Sequence, residues 1–308
     1  MDLARPFIAV AGLTDVEPVA QGLEFHVFKA QSAAYGQVAL RVPQHRIFQN
    51  VNDPSNDAKE LIEQELKIYE LLRHGPVPVP RPIALLEADD YPAMLSEYVD
   101  DDGSEAPPEE LGRLAALIHA TKLPTDWGVK LVAMDGTDAL SAVVERMVRR
   151  FEQLAREEPG AKDWIPTGSD LEPIADSLMS LPTCLLHMDL RDVNLRVRHG
   201  KAVAVLDWTN ALIGPAAIDY FRIMELGQPG AAFVEAYSRR AAVPTVTPRQ
   251  ETFLRLDAAL MLALVFISEA PDPERREPSV RRVEELVAQL QALKGDDGPP
   301  DSSSSMLR

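Results

Sequence analysis

The residue pattern changes character once along the chain, and that change limits the folds available to it. Residues 16–42 follow a strand pattern. Residues 16–20 lead to Gly22, Phe25-His26-Val27-Phe28 comes next, and Gln37-Val38-Ala39-Leu40-Arg41-Val42 follows a Tyr35-Gly36 turn. One strong helix is predicted over about 58–73. Gly75-Pro76 stops it, and the prolines up to Pro82 form an extended connector. A further strand pair is expected near 83–87 and 93–98. From Pro108 onward the pattern is helical, over 108–121, 138–155, 171–181, 217–240, 248–269 and 279–293, broken only by a short β segment within 184–208. Strands first and helices after make an α+β fold of two lobes, with a cleft at the join. The expected division is an N-terminal lobe over 1–98, a hinge over 99–107 around Asp100-Asp101-Asp102-Gly103, a C-terminal lobe over 108–294, and a disordered Pro- and Ser-rich tail over 295–308.

Charge narrows the partners. The 308 residues carry 48 Asp and Glu against 31 Lys and Arg, a formal charge of -17. A phosphate-backbone binder needs a basic surface, so nucleic acid is not an expected partner. Ten acidic residues and no Lys or Arg fall within 82–112. That negative stretch beside the hinge suits a cationic ligand. The lone Cys184 excludes internal disulfides and a cysteine zinc cluster, and its apolar setting reads as core. The first residues show no basic segment followed by a long apolar one, and the longest uncharged apolar run, 258–268, is about half a bilayer span. A cytoplasmic protein that does not enter the membrane is expected.

Three local features point to chemistry. On the helix from residue 58, Leu61, Ile62, Ile68, Tyr69 and Leu72 form the apolar stripe, and Glu65 falls three or four residues from both halves of it. An inward carboxylate needs a cation, and Arg41, interrupting an apolar strand, is the candidate. A slightly rotated helix would instead let Glu65 reach solvent. The segment His187-Met188-Asp189-Leu190-Arg191-Asp192-Val193-Asn194 follows an apolar strand and has no period of its own, so it is a loop. Asp could take a proton from a hydroxyl there and an Asn oxygen could ligate Mg²⁺, although both residues also favour turns for local reasons. Finally, 195–198 alternates apolar and basic residues while 202–206 is wholly apolar, which predicts a hairpin through His199-Gly200-Lys201. A turn at Gly200-Lys201 sets Asn194 opposite Asp207. A turn at His199-Gly200 shifts the pairing by two and keeps them neighbours.

These same residues resemble the aminoglycoside phosphotransferase family, small-molecule kinases related to protein kinases and choline kinase. His187 to Asn194 is similar to the family's His-x-Asp-x-x-x-x-Asn loop, Val205-Leu206-Asp207-Trp208 to its metal-binding strand end, residues 111–119 to its helix ending in Leu-His, and Leu95-Ser96-Glu97-Tyr98 to its interlobe linker. The likeness spans about 16–240. It implies a bilobal protein-kinase-like fold with a small β-rich N-lobe, one key helix and a mostly helical C-lobe. It implies an enzyme moving the γ-phosphate of ATP or GTP to a hydroxyl of an antibiotic (aminoglycoside or macrolide) or of a metabolite, as a monomer or homodimer. In that reading Asp189 is the catalytic base, Asn194 and Asp207 hold Mg²⁺, and Gly22, Arg41, Glu65, Ser96 and Tyr98 bind nucleotide. The Ser96 carbonyl and Tyr98 amide meet the adenine edge, and His187 braces the loop. Departures are Arg41 where kinases commonly have lysine, a single glycine in the loop after Ala20, and Gly214-Pro215-Ala216 where Gly-Asp-Pro is usual; Asp219 falls at a later, structural aspartate. The alternative is a catalytically inactive kinase-like binding protein.

Overall fold

The computed structural model describes residues 2–49, 51–52, 55–125, 127, 131–132 and 138–294; the tail expected over 295–308 lies outside them. Strands come first and helices after, as the pattern requires. A short helix α1 (Arg5–Ala11) leads into β1 (Leu13–Gln21), β2 (Phe25–Ser32) and β3 (Gly36–Pro43). The minor strands β4 (Ile47–Phe48) and β5 (Asn56–Asp57) pair with each other, and then come α2 (Ala58–Leu72), β6 (Pro82–Ala88) and β7 (Tyr91–Glu97). The main sheet has the order β1-β2-β3-β7-β6 and is antiparallel throughout.

Alternation along the central strands decides what the sheet offers to each side. On β3, Val38, Leu40 and Val42 are fully buried with Ala93 and Leu95 of β7 against α1, whose Phe7 fills that face. The intervening Ala39 and Arg41 of β3, with Met94 and Ser96 of β7, line the opposite side. Arg41 lies across from Met94 and Ala39 from Ser96. An arginine inside an apolar strand is thus not a flaw in a core but the residue on the other face. The covering helix α1 was not anticipated from sequence, being only seven residues long and closed by Gly12 in the left-handed region, φ +59°.

The second part holds α3 (Pro108–His119), α4 (Ala139–Glu157), α5 (Gly168–Leu178), β8 (Thr183–Leu186), β9 (Leu195–Arg198), β10 (Lys201–Val205), β11 (Leu212–Pro215), α6 (Ala216–Gly227), α7 (Gly230–Ser238), α8 (Pro248–Leu264) and α9 (Pro273–Ala292). The helix expected over 217–240 is two, because Gln228 turns left-handed at φ +43° and Pro229 cannot continue α6. The helix expected to Glu269 ends as a π turn over Val265–Glu269. The last helix starts earlier than Ser279: the Asp272 carboxylate caps it by accepting from the Glu274 and Arg275 amides at 3.1 and 3.2 Å, and Pro278 is carried inside. Gly112 of α3 meets α7 so closely that a Cβ there would overlap the Phe233 carbonyl. No helix among the described residues is long and apolar enough to cross a membrane.

Candidate active site

The loop after β8 is held from below by one carboxylate. Asp219, in the first turn of α6, is wholly buried. Its two oxygens accept the backbone amides of His187 and Met188 at 3.0 Å each, and His119 Nε2 lies 3.2 Å from Oδ2. Burial, the largest influence, works against its charge, but His119, His187 and the amide donors outweigh it and hold the Asp219 carboxyl below its ordinary range. The other nitrogen of His119 bonds the Tyr237 hydroxyl at 2.8 Å. Above this anchor Met188 sits at φ +68°, strained backbone that aims the next residue, Asp189. The His187 ring accepts the Asp189 amide at Nδ1, meets the Leu206 carbonyl at Nε2 (3.0 Å), and packs on Trp208. Asn194 Nδ2 donates to both the carbonyl and the carboxylate of Asp189, at 2.8 and 2.7 Å. Arg191 Nε lies 2.9 Å from Asp189 Oδ1.

The hairpin turns at His199-Gly200, both at positive φ, +53° and +71°, the signature of a tight two-residue turn matching strand twist. Arg198 therefore pairs with Lys201 and Val197 with Ala202, but an irregularity at Val203 advances the register so that Leu195 faces Val205. Asn194 faces Leu206, whose amide donates to the Asn194 carbonyl at 2.8 Å. Asp207 is thus the neighbour of the Asn194 partner rather than the partner itself, and it leaves the strand at φ +62°.

Arg41 and Glu65 meet as the sequence suggested, and Asp207 joins them. Arg41 bonds Glu65 through Nη1 and Asp207 Oδ1 through Nη2 at 2.9 Å, and its guanidinium lies 4.0 Å from the Phe25 ring centre. Glu65 is 1% exposed. It also accepts the Tyr69 hydroxyl at 2.6 Å and the Asp207 amide at 3.1 Å, so the inward orientation is fully satisfied. Burial, the largest influence on Arg41, opposes its charge, yet Asp207 and Glu65 raise its affinity for the proton above the ordinary value. Burial likewise pushes the Asp207 carboxyl up, and Arg41 more than reverses it, so the net direction is down. Thr209 Oγ1 donates to the same Asp207 oxygen at 2.9 Å.

These groups border one open cleft of about 1450 Å³ between the sheet and the helices. The model of the phosphotransferase enzyme family matches residues 15–254, through both parts and every residue just described. The chain belongs to the phosphotransferase enzyme family. No curated protein matches it by sequence. Among solved structures it is similar to aminoglycoside phosphotransferase APH(4)-Ia, a thermostable mutant in ternary complex with AMP-PNP and hygromycin B (13% identity, 94% of this chain and 98% of that one, TM-score 0.62). It is also similar to the streptomycin–ATP complex of APH(2")-IIa (12%, 94% and 97%, TM-score 0.58) and to macrolide 2'-phosphotransferase type I (18%, 90% and 94%, TM-score 0.54). At these identities the likeness establishes a shared kinase-like fold.

Other residues expected in this phosphotransferase fall less simply. Gly22 lines the cleft, but its amide already donates to the Phe25 carbonyl at 2.9 Å and its carbonyl accepts from Gln44. Ser96 and Tyr98 line the cleft too, and the Tyr98 amide donates to the Gln37 carbonyl of the adjoining strand end at 3.2 Å. Val99, one position on, also lines the cleft, and among the described residues its amide has no partner. Of the ten acidic residues in 82–112, Glu97 is the one that lines the cleft. Asp100 pairs with Lys29, Asp101 with Arg196, and Asp102 with the His199 amide, so these three tie the hinge to β2 and to the hairpin. Burial pushes the Cys184 thiol up to about 12, in keeping with a core residue.

Proposed function

We propose that the chain is a small-molecule O-phosphotransferase that moves the γ-phosphate of ATP or GTP to an acceptor hydroxyl. The observation that carries this reading is Asp189 held rigid at the edge of the cleft, its backbone fixed through Asp219 and its carboxylate oriented by Asn194. Asp189 accepts the hydroxyl proton while the acceptor oxygen bonds to the γ-phosphorus, and the bond from that phosphorus to the bridging oxygen breaks, its electron pair leaving with the nucleoside diphosphate. Arg41, fixed by Glu65, supplies positive charge to the phosphates, Ser96 and its neighbours border the base, and His187 holds the loop. Such catalysis is chiefly positioning and charge stabilisation.

The residues present fit a hard cation. Among the described residues no three His, Cys, Asp or Glu side chains gather as a metal site. Asn194 uses its amide nitrogen on Asp189, however, which leaves its oxygen for a ligand, and Asp207 keeps one oxygen clear of Arg41 and Thr209. One amide and one carboxylate oxygen suit Mg²⁺, which takes few protein ligands and fills its shell with water and phosphate. Bound there, it would neutralise charge on the phosphate oxygens.

Arg41 on Asp207 is also what an inactive nucleotide-binding relative would show, so the test must separate binding from turnover. Mg²⁺-nucleotide is expected to raise the melting temperature of wild type and of Asp189→Asn alike. Acceptor-dependent nucleoside-diphosphate release in the variant should fall by roughly 10²–10³. Equal release in both would refute the role of Asp189, and a shift in melting with no release on any hydroxylated acceptor would favour the inactive relative.

A further inference from the structure

The helical wall of the cleft is charged opposite to the chain as a whole. Arg150 of α4 and Arg222 of α6 both line it and are 4% and 7% exposed. Both bond one carboxylate, Asp257 of α8, through Nη1 at 2.9 and 3.4 Å. Asp257 is 3% exposed and does not itself border the cleft; it stands behind the two guanidiniums. The other bond of Arg222 runs from Nε to the Met188 carbonyl, an uncharged partner one residue before Asp189. Arg150 Nε is buried with no hydrogen-bond partner. Among the described residues no other carboxylate bonds either arginine. Nearby acids are engaged or wet: Asp219 holds the loop amides, Glu269 holds the two Asn52 N–H groups at 2.9 and 3.0 Å, and Glu152 is exposed to solvent.

Two guanidiniums bonded to a single carboxylate leave guanidinium N–H groups in a buried wall without an anionic partner of their own. Arginine does not shed its proton, and an unpaired buried charge is costly, so the wall is completed by an anion from outside. Guanidinium geometry favours an oxyanion held by two parallel N–H groups. We propose that the acceptor alcohol carries an acidic group, a carboxylate or phosphate, that seats on Arg150 and Arg222 and so presents its hydroxyl to Asp189. This deepens the phosphotransfer reading and rests on it, and it runs against the cationic acceptor that the acidic composition suggested.

The test uses four alcohols on one three-carbon skeleton: glycerate, glycerol 3-phosphate, glycerol and 3-amino-1,2-propanediol. Their binding to the full-length protein is measured by calorimetry with Mg²⁺-ADP saturating, so that the phosphate end of the cleft is filled. At least one acidic member should bind tenfold or more tighter than glycerol, and the ammonium member weakest; which acid leads tells carboxylate from phosphate. Arg150→Gln should erase the preference and Arg150→Lys should keep part of it. Asp257→Asn should strengthen it by removing the competing carboxylate, whereas a purely structural role would make both neutralising changes weaken binding. Equal binding across the four in wild type, or preference for the ammonium compound, overturns the proposal without need of any variant. If neither Mg²⁺-ADP nor Mg²⁺-GDP shifts the melting temperature, the phosphotransfer reading is what fails, and the same titration without nucleotide still decides the wall.

Discussion

Glu65 accepts three donors from three different parts of the chain, Arg41 on β3, Tyr69 on its own helix and the Asp207 amide beyond β10. That makes a single carboxylate the place where the sheet, the helix and Asp207 are aligned. Removing its charge leaves Arg41, among the described residues, with the Asp207 carboxylate alone, which draws the guanidinium toward Asp207. Glu65→Gln is therefore expected to lose about 3–5 kcal/mol of stability, as for a broken buried pair, and to raise the nucleotide KM more than it lowers kcat. Urea denaturation and a nucleotide titration check both; an unchanged denaturation midpoint would show that Glu65 is dispensable to the alignment. At this scale the sequence was informative. An acid at an apolar helix position and a cation at an apolar strand position each look misplaced alone, and together they name each other. What no local pattern carries is the third member, Asp207, because its bond to Arg41 spans 166 residues and depends on a bulge at Val203.

At the scale of elements, the loop 187–194 owes its shape to α6 through Asp219, not to its own residues. The folded carboxyl titrates lower than the free one, so between the two values the native protein binds fewer protons than the unfolded chain and stability rises with pH there. The stabilisation is full above the ordinary carboxylate pKa and is lost as acid takes the pH below it. Asp219→Asn is expected to cost about 2–3 kcal/mol at neutral pH and to flatten the loss of stability below about pH 5 relative to wild type. Denaturation curves across that range decide it; parallel curves would mean the carboxylate is not the group that titrates. Elements were legible where period and caps agreed, as in α2 with Asp57 at its head. They fall short where the cap lies outside the apparent period. The pattern gives the last helix from 279, yet α9 starts at Pro273 because Asp272 caps it and Pro278 is carried inside, and the joint at 228–230 is hidden in a helix-like composition that Gln228 and Pro229 break. The seven-residue α1 had too few turns to show a period.

For the whole molecule, two lobes raise the question of whether they unfold as two. The bonds that cross the cleft argue that they do not. Gln64 of α2 donates to the Trp208 and Thr209 carbonyls at 2.7 and 3.1 Å and accepts from the Val132 amide. Asn52, beyond β4, is tied to Glu269 at the end of the π turn, and Arg41 reaches Asp207. More decisively, Leu61, Ile62 and Tyr69 of α2 belong to the same buried cluster as Leu114 of α3 and Trp208, so no apolar boundary follows the hinge. Among the described residues the outer face of the sheet, under α1, alone forms a separate cluster, and it shares β3 and β7 with the rest. Scanning calorimetry should accordingly show one transition whose calorimetric and van't Hoff enthalpies agree. Saturation to a hundred times the dissociation constant with Mg²⁺-nucleotide should move that transition as a whole, by the equivalent of about 2.7 kcal/mol. Two resolved peaks, with nucleotide shifting only the first, would mean instead that the cleft joins two independent folding units and that the α2 contacts are too weak to couple them.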